Sequence, residues 1–311
     1  RIRGHTYLVL EQLAPPPRER WLVLDTAAGG PRVMLVLPSD SSTSQHIRVL
    51  RHVESNSLPR ILNFEVGDEQ TRVVVPWVKG IDMQEYLKRV EKKKVDPPEP
   101  FHAVRLILEL ARALRALHRN AQVIHGDIKP ANLILTRKSS HVSMIDFGSA
   151  WPIGMTGVRC AADGISGAFA APELTSGGII NERADQFSAS VVLYQLLTGV
   201  IPYDDLGGKA GWPEWRHDAN VAVPPSRVAL SSRHVPRKVW REIDALVLKG
   251  IDLDPGRRFA HSTEWVDAID AVFLQLRLRQ SSNQNRETLW DRLCHWLTNR
   301  LDVKDPDGVS Q

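Results

Sequence analysis

Apolar residues follow a strand-like pattern in the first quarter of the chain. Short runs rich in valine and leucine are bounded by turn residues, of which Gly29 and Gly30 are the clearest. These runs predict four strands, at residues 6–13, 20–27, 31–37 and 71–78. Between the third and the fourth, Ile47, Leu50 and Val53 have helical spacing. The pattern therefore predicts a mainly antiparallel sheet accompanied by one helix.

After about residue 82 the period of the apolar residues becomes helical. Helices are predicted at residues 101–120, 182–199, 237–251 and 262–279. Gly199 would end the second of them, and Ser262 or Thr263 would cap the fourth. A small strand-rich lobe at residues 1–78 thus precedes a larger helical lobe at residues 79–280, which is an α+β organisation. Residues 281–311 are predicted to form a further amphipathic helix and a tail.

Composition and charge exclude several classes of protein. With 42% hydrophobic and 24% charged residues, the chain is neither disordered nor collagen-like. A net charge of +4 without a basic block does not indicate nucleic-acid binding. Cys160 and Cys294 form neither a disulfide framework nor a metal pattern, which favours a cytoplasmic location. No apolar stretch reaches the roughly 18 residues of a membrane span. Because no initiating methionine is present, we expect the chain to belong to a longer protein.

Four polar residues between positions 127 and 146 supply the groups that a phosphoryl transfer requires. Such a transfer needs a carboxylate to orient a hydroxyl, a cation against the moving phosphate, and oxygen ligands for magnesium. Asp127, Lys129, Asn132 and Asp146 are of these types. Any one of them alone could simply cap a helix or form a turn. The ordered set favours a catalytic loop followed by a metal-binding loop.

On the motifs "HGDIKPAN", "DFG" and "AAPEL", the chain resembles the protein kinase family over nearly residues 6–275. The resemblance implies a bilobal protein-kinase-like fold that uses ATP and Mg²⁺, with Mn²⁺ as an alternative. It implies Asp127 as the base and Lys129 as the cation typical of the serine/threonine branch. It also implies Asn132 and Asp146 as the metal ligands.

The resemblance extends to the nucleotide site. The segment "VVPWVKGIDMQEYL" resembles the hinge between the lobes and the helix that follows it. Val75 would then be the gatekeeper, and the backbone of Val78 would bond the adenine. Ile134 is also expected to contact the nucleotide.

Several other residues have structural roles in this resemblance. Asp185 would hold the backbone of the catalytic loop. Glu173 would pair with Arg258 or, as the less favoured choice, with Arg257. His125 is interpreted as a packed structural residue and not as a base.

The chain departs from the family where the phosphates of ATP should be held. The stretch "APPP" at residues 14–17 replaces the glycine-rich loop, and proline has no N–H to offer a phosphate. Our alignment puts Val36 at the position of the strand-three lysine, and Arg20 and Met34 above the adenine. With-no-lysine kinases take this cation from the third glycine position, where the alignment puts Arg18. Arg18 or Arg20 could therefore supply it.

The catalytic loop shows one further departure. Gly126 replaces an arginine that normally binds a phosphorylated activation segment, so switching by that phosphorylation is not expected. The favoured function is a serine/threonine protein kinase domain with an atypical grip on ATP, and its expected partner is a protein substrate. The alternative is a pseudokinase that binds a regulatory protein partner or acts as a scaffold.

Overall fold

The small lobe is a five-stranded antiparallel sheet with the order β1-β2-β3-β5-β4. Its strands are β1 (Tyr7–Ala14), β2 (Glu19–Asp25), β3 (Pro31–Pro38), β4 (Asn63–Val66) and β5 (Gln70–Pro76). The four predicted strands are confirmed, whereas β4 was not predicted.

The structure, a computed structural model, describes residues 2–15, 19–39, 47, 55–136, 141–157, 166–215, 221–231 and 235–280. The predicted helical positions Leu50 and Val53 and the predicted segment 281–311 lie outside these ranges.

One face of this sheet packs into an apolar cluster. Leu35 of β3 packs with Ile47, Phe64 and Val73 in one apolar cluster, which Val33 and Leu37 join from its edge. Because successive side chains on a strand point to opposite faces, Val36 lies on the other face. We call the face that carries the odd-numbered residues of β3 the inner face.

The large lobe is helical. Its helices are α1 (Met83–Glu91), α2 (Pro100–Ala116), α3 (Pro172–Ser176), α4 (Arg183–Thr198), α5 (Pro225–Val228), α6 (Arg237–Gly250) and α7 (Ser262–Gln280). The short strands β6 (Gly80–Asp82), β8 (Leu133–Thr136) and β9 (His141–Met144) form one sheet, and β7 (Val123–Ile124) pairs with β10 (Trp151–Pro152). Helix α4 is almost wholly buried, and α2 packs against both α4 and α7. Within the described ranges, no helix combines the length and the apolar character needed to cross a bilayer.

Two helix boundaries show where local signals suffice and where they do not. Helix α4 ends as predicted, since Gly199 takes a φ of 80° and its N–H donates to the carbonyl of Gln195. Helix α7 begins at Ser262, so the predicted cap at Ser262 or Thr263 is wrong. The Ser262 hydroxyl instead bonds Glu182 and lies 2.7 Å from Nδ1 of His118. Tertiary contacts thus use the hydroxyl that a local rule assigned to the helix end.

A buried ion pair joins α3 to the turn before α7. Nη1 and Nη2 of Arg258 donate to the two carboxylate oxygens of Glu173 at 2.6 and 3.0 Å. The same guanidinium donates to the carbonyls of Asp252 and Arg183 at 2.7 and 3.0 Å. Arg258, and not the exposed Arg257, is therefore the partner of Glu173, as the favoured assignment predicted.

We expect the substitution Arg258→Ala to lower the free energy of unfolding by about 3–5 kcal/mol, because Glu173 would stay buried without a countercharge. The matched control is Arg257→Ala, whose side chain is 75% exposed and which should change stability by about 0.5 kcal/mol or less. Urea denaturation followed by circular dichroism measures both. A loss in Arg258→Ala no larger than that of the control would contradict this role of the ion pair.

Candidate active site

A buried carboxylate fixes the backbone of the loop that carries Asp127. Asp185 of α4 is fully buried, and it accepts the N–H groups of His125 at 2.7 Å and Gly126 at 2.9 Å. Gly126 has a φ of 74°, in the left-handed region that glycine adopts without steric cost. The residue types at positions 126 and 185 together hold this turn in one conformation.

His118, in the turn that ends α2, is a third hydrogen-bond donor to Asp185. Its Nε2 donates to a carboxylate oxygen of Asp185 at 2.8 Å. Burial alone would raise the pKa of Asp185, but the hydrogen bonds from His118 and from the N–H of Gly126 outweigh burial and lower that pKa below its ordinary value. Asp185 was predicted from the sequence, whereas His118 was not. The available signal was the position of His118 four residues after Leu114, on the buried face of α2.

Asp127, Lys129 and Asn132 lie in direct contact. Nζ of Lys129 is 2.7 Å from Oδ2 of Asp127. Nδ2 of Asn132 donates to the carbonyl and to Oδ2 of Asp127, both at 2.9 Å. The amide nitrogen of Asn132 therefore points at Asp127, and its amide oxygen points away. The structure thus brings together three of the four residues that the catalytic motif predicted.

Asn132 and Asp146 fit a hard divalent cation. The N–H of Ile145 donates to the carbonyl of Asn132 at 2.9 Å, which brings Asp146 beside the catalytic loop. Amide and carboxylate oxygens suit Mg²⁺, which commonly takes one or two carboxylates together with phosphate oxygens and water. Across the described residues, no group of three or more His, Cys, Asp or Glu side chains could hold a metal ion.

One arginine of the small lobe reaches Asp146. Nη1 of Arg20 lies 3.5 Å from Oδ2 of Asp146. Arg20 on β2 is the Cα partner of Leu35 on β3, so the two side chains share the inner face of the sheet. Leu35, and not Val36, is therefore the strand-three residue beside the site. The alignment of Val36 with a strand-three lysine is wrong by one residue, and the predicted Arg18 lies outside the described residues.

The register of β3 also changes which residues are expected to lie above the adenine. Val33 is the Cα partner of Leu22 on β2 and of Val75 on β5, and it lies on the inner face. By this register, Leu22 and Val33 are the residues expected above the adenine, in place of Arg20 and Met34. Val75 stays on the inner face, where a gatekeeper is expected, and its contact with a nucleotide stays a prediction.

The predicted hinge residues lie where the two lobes meet. Val78 lies between β5 and β6. A Cβ atom added to Gly80 would come within 2.6 Å of the side chain of Ile134, so the end of the hinge packs directly on β8. The structure therefore places Val78 and Ile134 at one junction. Their contacts with adenine stay a prediction.

His125 is a packed residue beneath the metal-binding loop, as predicted. Its ring centroid lies 4.9 Å from that of Phe147, and its Nε2 lies 3.2 Å from the carbonyl oxygen of Ile145. Nδ1 accepts the N–H of Asp127 at 3.4 Å. Complete burial lowers the pKa of His125, although the nearby carboxylates of Asp185 and Asp127 oppose that shift. The neutral ring matches this pair of hydrogen bonds, one donated and one accepted.

Comparison with known proteins identifies relatives across most of the chain. A family model described as protein kinase domain matches residues 37–268. Serine/threonine-protein kinase PknB of Mycolicibacterium smegmatis is 30% identical over 65% of this chain and 31% of that protein. Serine/threonine-protein kinase PknJ of Mycobacterium bovis is 36% identical over 55% of this chain and 28% of that protein. The matched region thus spans about a third of the length of these relatives.

A solved structure has the same fold. The kinase domain of Mycobacterium tuberculosis PknI superimposes with a TM-score of 0.60 at 20% identity, over 88% of this chain and 97% of that one. At this identity the likeness shows the fold alone. The predicted bilobal α+β fold, with a strand-rich first lobe and a helical second lobe, is confirmed.

We expect the free energy of unfolding to fall as the pH drops below about 6.5, because His125 is neutral in the folded chain. In the unfolded chain a histidine takes up its proton near pH 6.5, whereas the folded pKa of His125 is lower. The stabilisation is therefore complete above that pH and is lost as the pH falls towards the folded pKa, at up to about 1.4 kcal/mol per pH unit. The variant His125→Gln should show a shallower dependence in denaturation measured between about pH 7.5 and 5.5. Parallel curves for the two proteins would contradict the assignment.

Proposed function

The chain belongs to the protein kinase family, and we propose that it transfers the γ-phosphate of ATP to a serine or threonine hydroxyl of a protein. One observation carries the proposal, the contact of Asp127 with Lys129 and Asn132 beside Asp146. These side chains are of the types that phosphoryl transfer needs, and they converge on one point. The serine/threonine kinases among the relatives support the same reaction.

In the proposed reaction the acceptor oxygen attacks the γ-phosphorus in line with the leaving group. The bond from that phosphorus to the β,γ-bridging oxygen breaks, and ADP leaves with the electron pair. The hydroxyl proton passes to Asp127, whose Oδ2 is held by Asn132 and Lys129, so Oδ1 is the oxygen that receives it. Lys129, whose Nζ lies 2.7 Å from Asp127, would contact the transferred phosphate.

Asn132 and Asp146 would hold a divalent cation, which we propose to be Mg²⁺ or Mn²⁺. When bound, the cation neutralises phosphate charge and orients the phosphate chain. The contribution of the protein is to fix the two oxygen ligands. The bond from the N–H of Ile145 to the carbonyl of Asn132 keeps the two ligand-bearing segments together.

A second candidate is a pseudokinase that binds a regulatory protein and transfers no phosphate. The observation that favours it is the apolar inner face of β3, which presents Val33, Leu35 and Leu37 where a lysine would be expected. Residues 1–78 contain no lysine at all, and Pro15 begins a stretch without N–H donors. Such a domain would retain the large-lobe geometry for structural reasons alone.

We expect the substitution Asp127→Asn to abolish transfer from γ-labelled ATP to protein while leaving the melting temperature near that of the wild type. Asparagine keeps the size of the side chain but cannot accept the hydroxyl proton. The matched control is Asp267→Asn, an exposed residue of α7 that should keep full activity. The transfer activity of all three proteins is measured as the label incorporated into the chain itself and into a peptide library. Absence of transfer by the wild type with Mg²⁺ and with Mn²⁺ would reject the kinase proposal in favour of the pseudokinase.

A further inference from the structure

We propose that Arg20 binds the phosphates of the nucleotide, and that its ion pair with Asp146 is exchanged when metal and nucleotide bind together. The inference rests on the proposed use of ATP. In the structure Arg20 contacts Asp146, the carboxylate expected to bind the metal. In the bound state the guanidinium would contact phosphate oxygens and the carboxylate would contact the cation.

The small lobe must supply a cation by some route other than strand three. A nucleoside triphosphate brings several negative charges, which backbone N–H groups and a cation normally balance. Here Pro15 begins the β1–β2 connection, and Leu35 faces the site from β3. Since residues 1–78 contain no lysine, arginine is the permanently charged side chain that this lobe can offer to a phosphate.

Two other arginines of the sheet, Arg32 and Arg72, are engaged elsewhere. Arg32 donates to the carbonyl oxygens of Gly29 and Pro31 at 3.1 and 2.8 Å. Arg72 pairs with Glu65 at 3.4 Å. Arg72 is the Cα partner of Val36, which puts it on the face opposite the inner face. Neither arginine is directed at Asp146.

The position of Arg20 suits phosphate binding. Cross-strand partners have Cβ atoms about 4.5–5.5 Å apart, so Arg20 starts one strand away from Leu35. The arginine side chain is long enough to cover that distance, since its Nη1 lies 3.5 Å from Oδ2 of Asp146. About a third of the side chain is exposed, which leaves the guanidinium able to turn towards a ligand. A guanidinium also binds phosphate in a bidentate manner.

The exchange follows from charge. A metal cation at Asp146 would share its carboxylate with the guanidinium of Arg20, and two cations at one carboxylate repel each other. A triphosphate removes the conflict, since it offers Arg20 a new anionic partner. Metal alone should therefore bind weakly, and nucleotide should strengthen metal binding beyond what the shared phosphate ligands provide.

The substitution Arg20→Ala separates these effects because it should change the two affinities in opposite directions. The affinity for ATP in Mg²⁺, measured by calorimetry, should fall about tenfold or more. The affinity for Mn²⁺ without nucleotide, measured by electron paramagnetic resonance, should rise about two- to fivefold, as expected when a part-exposed ion pair no longer competes. Adenosine, which carries no phosphate, should bind both proteins equally. Arg20→Lys should recover part of the ATP affinity.

The matched control is Arg72→Ala, which removes an arginine of the same sheet that also pairs with one carboxylate. All its affinities should equal those of the wild type. If Arg20→Ala still binds adenosine, loss of both ATP and Mn²⁺ binding would overturn the exchange, as would unchanged affinities. If the wild type transfers phosphate and Arg20→Ala binds ATP normally, the inference fails and the proposed function stands. If the wild type binds no ATP, the proposed function fails with it.

Discussion

A carboxylate that has lost all its water must receive hydrogen bonds from the protein, and Asp185 receives three. Two come from consecutive N–H groups, those of His125 and Gly126, and one comes from His118. The catalytic loop is thereby bonded to α4, the most deeply buried helix of the described chain. The position of Asp127, one residue further on, is set by the core of the large lobe and not by the loop itself.

The two halves of the site are held in different ways. On the large-lobe side, two hydrogen bonds join the catalytic loop to the metal-binding loop, one from the N–H of Ile145 to the carbonyl of Asn132 and one between His125 and the Ile145 carbonyl. On the small-lobe side, the described contact with Asp146 is a part-exposed ion pair with Arg20. The large-lobe half of the site is therefore preorganised, whereas the Arg20–Asp146 ion pair has a small energy, and in the proposed exchange a ligand replaces it.

The sequence predicted what local patterns encode. Helices α2, α4, α6 and α7 follow from apolar periodicity, and Asp127, Lys129, Asn132 and Asp146 follow from spacing within one short segment. Strand register could not be obtained in this way, since a shift of one residue exchanges the two faces of a strand. Only the pairing of β3 with β2 and β5 shows that Leu35, and not Val36, is on the inner face. The contact between His118 and Ser262 could not be predicted from a local pattern either, because these residues lie 144 positions apart.

In the proposed arrangement the phosphate-binding cation stands on β2 and not on β3, which has a structural benefit. Leu35 packs with Ile47, Phe64 and Val73 in the apolar cluster of the small lobe. Burial of a leucine side chain contributes about 1.5–3 kcal/mol, which a lysine with its charge near the site would not match. Since Arg20 is the cross-strand partner of Leu35, the cation moves by one strand spacing while the core gains an apolar residue. A small lobe of five short strands can thus strengthen its core and still keep a positive charge beside Asp146.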